Sequence, residues 1–172
     1  DIFNIGADPQ QLTTQGMIFN QVARVEGGTG AGDTVISHTS RAWQLTRERN
    51  SLQAAGMTFT GIDAANFSPV VATPGSLHGS GADETFDVSG SQRNAVRVNG
   101  VAFSGIGAVD AGAGNNRVVS ADAERWTLTG VNGEVSVEDI RFSGVTSTGA
   151  TSAAASASTL RGSAGDETYL VD

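Results

Sequence analysis

Residues 79–88 read "GSGADETFDV" and residues 162–171 read "GSAGDETYLV". The two decapeptides stand 83 positions apart in a chain of 172 residues, and that spacing decides the fold. Internal periods are the first thing to look for in such a chain. Sliding the sequence by 83 lays one half on the other. Val35 meets Val118, Ser37 meets Ser120, Trp43 meets Trp126, and Leu45 and Thr46 meet Leu128 and Thr129. Farther along, Phe59 meets Phe142, Gly61 meets Gly144 and Leu77 meets Leu160. Both tryptophans of the chain fall on matched positions.

Upstream the offset becomes 84, with Gly16, Phe19, Val25 and Gly28 matching Gly100, Phe103, Val109 and Gly112. One residue is therefore inserted near "GTGAGD", in a Gly-rich turn where insertion is tolerated. The opening "DIFNI" resembles "ETFDV" from Glu84, so the piece begins and ends in the same phase. It reads as one segment of two units, about 1–84 and 85–172, an internal fragment of a longer array. A finer period runs inside the units: "FNQV" at Phe19, "FTGI" at Phe59, "FSGI" at Phe103 and "FSGV" at Phe142 mark half-units of roughly 40 residues, each about two rungs of a solenoid.

The local signals are those of strands. "AWQLT", "RWTLT", "AVRVNGVAF" and "EVSVEDIRF" alternate large apolar residues with polar ones, which buries one face and wets the other. Gly-rich turns and two Asn–Gly pairs, Asn99–Gly100 and Asn132–Gly133, separate them. The best helical candidate is "ATSAAASAST" near Ala150, but its counterpart "NFSPVVATPG" carries two prolines, which argues against a helix there.

These features predict an all-β fold, a right-handed parallel β-helix of about 7–8 rungs. Val35, Trp43, Leu45, Phe59, Ile62, Val96, Val98, Phe103 and Ile106 are expected to point inward. The alternative is two antiparallel β-sandwich domains, which an 83-residue unit would suit and which the Asn–Gly pairs favour, because that dipeptide builds hairpins.

Four turns share one skeleton: "GTGAGDTV" from Gly28, "GSGADETF" from Gly79, "AGAGNNRV" from Ala111 and "GSAGDETY" from Gly162. They approach the calcium-binding nonapeptide of RTX repeats. Asp33, Glu84, Asn116 and Glu167 hold the acidic position, with Asp83 and Asp166 just before it in two copies. Calcium takes six to eight oxygens, and these turns are spread along the chain rather than following one another. The leading expectation is therefore plain corner geometry, with no metal ligands and no cofactor. Glycine turns the corner and Asp or Asn bonds the following backbone; calcium at the Gly–Asp turns is the competing expectation. A phosphate cradle is disfavoured, because no Gly-rich run leads into Lys–Ser/Thr.

Catalysis is not expected and no catalytic residue is assigned. His38 and His78 are the only histidines and do not match in the repeat. Ser37, His38 and Asp33 lie close in sequence without a nucleophile elbow. Asp83–Glu84 and Glu138–Asp139 are neighbours that a strand would point to opposite faces. A net charge of -8, with scattered arginines and no lysine, argues against a nucleic-acid partner. The absence of cysteine excludes disulfides. No apolar run approaches a membrane span and no leader opens the chain; an export signal would lie outside this piece.

The alternation of tags such as "VAFSGI" with turns such as "GSGADETF", in an acidic chain without Lys or Cys, resembles the β-strand repeats of very large bacterial surface adhesins. These are the filamentous-haemagglutinin-like exoproteins of two-partner secretion and related biofilm-matrix adhesins. The resemblance covers essentially the whole chain, though its motifs are degenerate. It implies a secreted, cell-surface stalk of parallel β-helix, without catalysis. The stalk's partners would be flanking repeats of the same parent chain, with polysaccharide or cell-surface receptors met through a distal binding region. A carbohydrate-binding or carbohydrate-cleaving β-helix and a calcium-rigidified RTX-type linker are the alternatives. Exposed tryptophans would mark the first, since sugars stack on aromatic faces.

Overall fold

The computed structural model describes every residue except 40–41, 69–72, 89–91, 121–124, 151–158 and 166–172. The described residues form strands and turns, with no helix. The alanine-rich stretch near Ala150 lies almost wholly outside them, as do Asp166 and Glu167 of the fourth turn.

Each half-unit contributes five strands. The first has β1 (Ile2–Ile5), β2 (Leu12–Thr14), β3 (Met17–Phe19), β4 (Arg24–Glu26) and β5 (Thr34–Ser37). The second has β6 (Trp43–Leu45), β7 (Ser51–Ala54), β8 (Met57–Thr60), β9 (Ala64–Phe67) and β10 (Gly75–His78). The third has β11 (Thr85–Val88), β12 (Ala95–Val98), β13 (Val101–Ser104), β14 (Ile106–Asp110) and β15 (Arg117–Ser120). The fourth has β16 (Arg125–Leu128), β17 (Val135–Val137), β18 (Ile140–Ser143), β19 (Ser147–Ala150) and β20 (Thr159–Arg161). Strand for strand, β1–β10 map onto β11–β20, as the repeat requires.

Two ten-stranded sheets face each other. Sheet A runs β19-β15-β11-β12-β13-β9-β5-β1-β2-β3, and sheet B runs β20-β16-β17-β18-β14-β10-β6-β7-β8-β4. Both continue without a break across the boundary between the units, and the buried residues form one core. That excludes two separate sandwich domains. The molecule is a β-solenoid of about four turns, one per half-unit, rather than seven or eight rungs.

The overcount has a physical cause. In every half-unit the first three strands do not circle the core. They fold back within one sheet as an antiparallel meander, β1-β2-β3 and β11-β12-β13 in sheet A, β6-β7-β8 and β16-β17-β18 in sheet B. The remaining strands cross between sheets and pair in parallel, as β5 does with β1 and β9, and β10 with β14. Among the described residues ten strand pairs are parallel and eight antiparallel, so the parallel coil is regularly interrupted by hairpins.

The hairpin tips explain why this works. The four second turns are two-residue loops at Gln15–Gly16, Ala55–Gly56, Asn99–Gly100 and Glu138–Asp139, with both residues at positive φ in each. This is the turn whose twist matches paired strands. Gln10, Asn50 and Asn94 also adopt positive φ before the second strand of their meanders, and each backbone N–H donates to the next half-unit's hairpin tip. The tips thus stack as a staircase.

The core is built by alternation. β13 buries Val101 and Phe103, and β11 buries Phe86 and Val88. All nine residues expected inward are buried. Phe86 meets Phe142 edge-on at 5.9 Å, joining the two sheets of the second unit.

Candidate functional site

The expected catalytic groups do not converge. Ser37 is buried and its hydroxyl donates to the Thr39 carbonyl (2.8 Å), while His38 turns outward to Asn4 Oδ1 (3.1 Å). Asp33 is buried at the preceding corner. His78 ends a strand of the opposite sheet and faces Asp110 Oδ2 at 3.8 Å, both exposed. The two carboxylate pairs lie in turns, not on strands as the sequence reading assumed: Glu138–Asp139 form a hairpin tip, and Asp83–Glu84 a corner. Among the described residues, no three His, Asp or Glu side chains gather as a metal-ligand group.

Trp43 is buried against Phe67, ring centroids 5.1 Å apart, and Trp126 is buried at the matched position. Neither indole is offered on an exposed groove. One apolar recess of about 440 Å³ is lined by Trp126, Leu128, Val135, Val145 and Leu160, next to residues outside the described set.

Two features repeat in an informative way. The first is the set of acidic corners, where the chain passes from sheet B to sheet A. Asp33, Glu84 and Asn116 all turn inward and are buried. Gly28, Gly32, Gly81, Gly112 and Gly114 supply positive φ, as expected of corner glycines. The expected bond to the following backbone is not made among the described residues: these side chains reach back to preceding residues or across to the neighbouring layer, because they turn inward. Asn116 Oδ1 accepts from the Glu84 backbone N–H (3.1 Å), and its amide nitrogen donates to the carbonyls of Ala111, Gly112, Ala113 and Gly144 at 3.1–3.3 Å. Glu84 Oε1 accepts from the backbone and hydroxyl of Ser80. Asp83 points out and accepts from the Asn115 N–H (2.8 Å).

The second feature is the pair of open ends. β3 and β4 edge the two sheets at one end, β19 and β20 at the other. At the first end Met17 is 53%, Ile18 66% and Phe19 41% exposed. Their counterparts Val101 and Phe103 in the second unit are buried, because β9 pairs alongside β13. The sequence pointed to the corners but not to these edges; the apolar "MIF" of β3, standing where "VAF" is covered, was the available signal.

Comparison with protein-family models, curated proteins and solved structures finds no match to this chain.

Proposed function

We propose that the chain is a structural stacking module: two units of an array whose open ends accept identical units, forming the non-catalytic stalk of a secreted bacterial adhesin. Its crossovers coil right-handed, the sense that strand twist favours in parallel connections. The stalk holds a distal region toward polysaccharide or cell-surface receptors. Ten strand layers at about 4.8 Å give the segment a rise of roughly 45 Å. An acidic surface without lysine or cysteine keeps such a rod soluble outside the cell.

The observation that carries this reading is that the ends complement each other in the register already used inside the molecule. Internally, Ser76, Leu77 and His78 of β10 pair with Ala108, Val109 and Asp110 of β14. Moved by one unit, the same ladder sets Thr159, Leu160 and Arg161 beside Arg24, Val25 and Glu26 of a following copy. Leu160, half exposed at the free end, then covers Val25, and the internal His78–Asp110 pair is replaced by Arg161 against Glu26. In the other sheet the β9–β13 register sets Ser147, Thr148 and Gly149 beside Ile18, Phe19 and Asn20. Exposed sheet edges of this kind template further strands.

The test is sedimentation velocity over a concentration series, supported by electron microscopy of the largest species. The chain is expected to associate head to tail. Phe19→Asp should abolish association without lowering Tm, since Phe19 is exposed in the single chain. Glu26→Arg and Arg161→Glu should each weaken it, and the double swap should restore it. Association that survives Phe19→Asp, or single swaps that the double swap does not repair, would overturn the seam. The carbohydrate reading has no exposed tryptophan to support it.

A further inference from the structure

Among the described residues, two buried carboxylate oxygens lack any hydrogen-bond donor: Asp33 Oδ2 and Glu84 Oε2. Leaving a buried charged acceptor unpaired costs more than an ordinary hydrogen bond supplies. What each faces can be read from the third corner of the set.

Asp33 and Asn116 are the same position of the repeat, 83 residues apart. Their backbones superpose in bonding as well as in sequence. Gly27 N–H donates to the Thr60 carbonyl at 2.9 Å, as Ala111 N–H donates to Ser143 at 2.9 Å. A Cβ on Gly61 would meet Gly28 O at 2.7 Å and N at 3.2 Å; one on Gly144 would meet Gly112 O at 2.9 Å and N at 3.1 Å. The Oδ1 atoms match in position: Asp33 Oδ1 accepts from the N-terminal ammonium of Asp1 in an ion pair (2.7 Å), and Asn116 Oδ1 from the backbone N–H of Glu84 (3.1 Å).

The second atom of the side chain is where the corners part. In Asn116 it is an NH₂ group directed at four carbonyl oxygens. In Asp33 it is an oxygen without a donor, and the repeat matches Gly27, Gly28 and Gly61 to Ala111, Gly112 and Gly144, the corner loop being one residue longer here. A Cβ on Gly27 would touch Gly61 O at 2.5 Å and Asp33 Cγ at 2.9 Å, so carboxyl group and carbonyl converge on one point. At Gly79 the same test brings the Ala111 carbonyl and Glu84 Oε2 (3.0 Å) together. At both acid corners one carboxylate oxygen has its donor and the second has none. Where asparagine stands instead, its amide supplies the positive charge density.

We propose that the Asp33 corner is a calcium site, built from Asp33 Oδ2 with the carbonyls of Gly27, Gly28 and Gly61, and that the Asn116 amide does the ion's work in the second unit. Glu84 with the Ala111 carbonyl is a poorer version of the same site. The ligand set is hard oxygen in an irregular loop, which suits calcium's flexible coordination and not the strict octahedron of magnesium; water completes the shell. With a single carboxylate the affinity falls in the weak range of extracellular modules, about 10⁻⁴–10⁻³ M. The arrangement differs from tandem nonapeptides, in which adjacent turns share each ion, because the carbonyls of one corner and its neighbouring layer do most of the holding.

Thermal melts of the whole chain in EDTA, millimolar calcium and millimolar magnesium test this, with calorimetric titration of calcium as a direct readout. Wild type should gain about 1–5 °C in millimolar calcium and much less in magnesium. Asp33→Asn, which installs the side chain that already satisfies the matched corner, should fold, equal or exceed wild-type Tm in EDTA, and lose most of the calcium shift. Asn116→Asp should lose several degrees in EDTA and recover them in calcium. Equal wild-type melts in EDTA and calcium, or a full calcium shift retained by Asp33→Asn, would overturn the proposal.

Discussion

The two units share a backbone plan but fill it differently, and the differences come in compensating sets. In the first unit Trp43 packs on Phe67, and Gly75 leaves room for that ring, since a Cβ there would overlap it. At the matched positions 150 and 158 the sequence has Ala and Ser, so the large–small pair has become two small residues. Asp33 is replaced by Asn116, and Asn50, at positive φ, by Gly133, also at positive φ. Ser51 and Thr58 become Glu134 and Arg141, which pair at 2.6 Å. What persists through these exchanges is the geometry of tips and corners. The fold is therefore specified mostly by where the chain turns, and the interior tolerates exchanges that do not conserve volume.

The largest effect should separate the two tryptophans. Trp43→Ala is expected to cost about 3–5 kcal/mol, because the indole is fully enclosed. Trp126→Ala should cost less, because that ring already borders the 440 Å³ recess. Urea unfolding of both variants measures the gap; equal losses would mean that the second unit is packed as tightly as the first.

A smaller effect probes the exchanged pair. Gly75→Ala should cost about 1–3 kcal/mol by overpacking against Phe67. The same substitution made in a Phe67→Ala background should cost little, giving a coupling energy that a double-mutant cycle reads directly. Additive losses would show that the two positions do not compensate.

The smallest effect belongs to the ion pair that only the second unit has. Hydrogen bonds from Arg141, opposed by some desolvation and helped by Thr129, hold the Glu134 carboxyl below the usual carboxylate range. A lowered folded-state pKa means stability that is present above the unfolded value and lost as pH falls through the folded one. Wild type should thus lose this contribution only in acid, and Glu134→Gln should flatten that part of the pH–stability curve while leaving neutral pH nearly unchanged. Pairs this exposed to solvent contribute little, so an unaltered acid limb would remove the pair from the account.

Much of this was legible in the residues. The 83-residue period and the single insertion near "GTGAGD" follow from spacing, and the inward set from Val35 to Ile106 follows from alternation and is buried in the structure. The meanders were harder to see, because alternation along a strand is the same whether its neighbour runs parallel or antiparallel. Asn99–Gly100 signalled its hairpin, but Gln15–Gly16, Ala55–Gly56 and Glu138–Asp139 make the same turn without the Asn–Gly signature. Asn132–Gly133, which does carry it, sits between β16 and β17, and only its glycine has positive φ. At the corners, glycine spacing revealed the turn but not that Asp33, Glu84 and Asn116 point inward, since a one-letter code does not say which side of a bend is dry.

The alternation of the meander between sheets has a mechanical corollary. Each half-unit reproduces its predecessor after exchanging the two faces and advancing two and a half layers, roughly 12 Å at the spacing of paired strands. Any bend that a widened row imposes on one side is reversed by the next row on the other, so the rod stays straight. Its opposite flanks carry the same relief, offset by half a period.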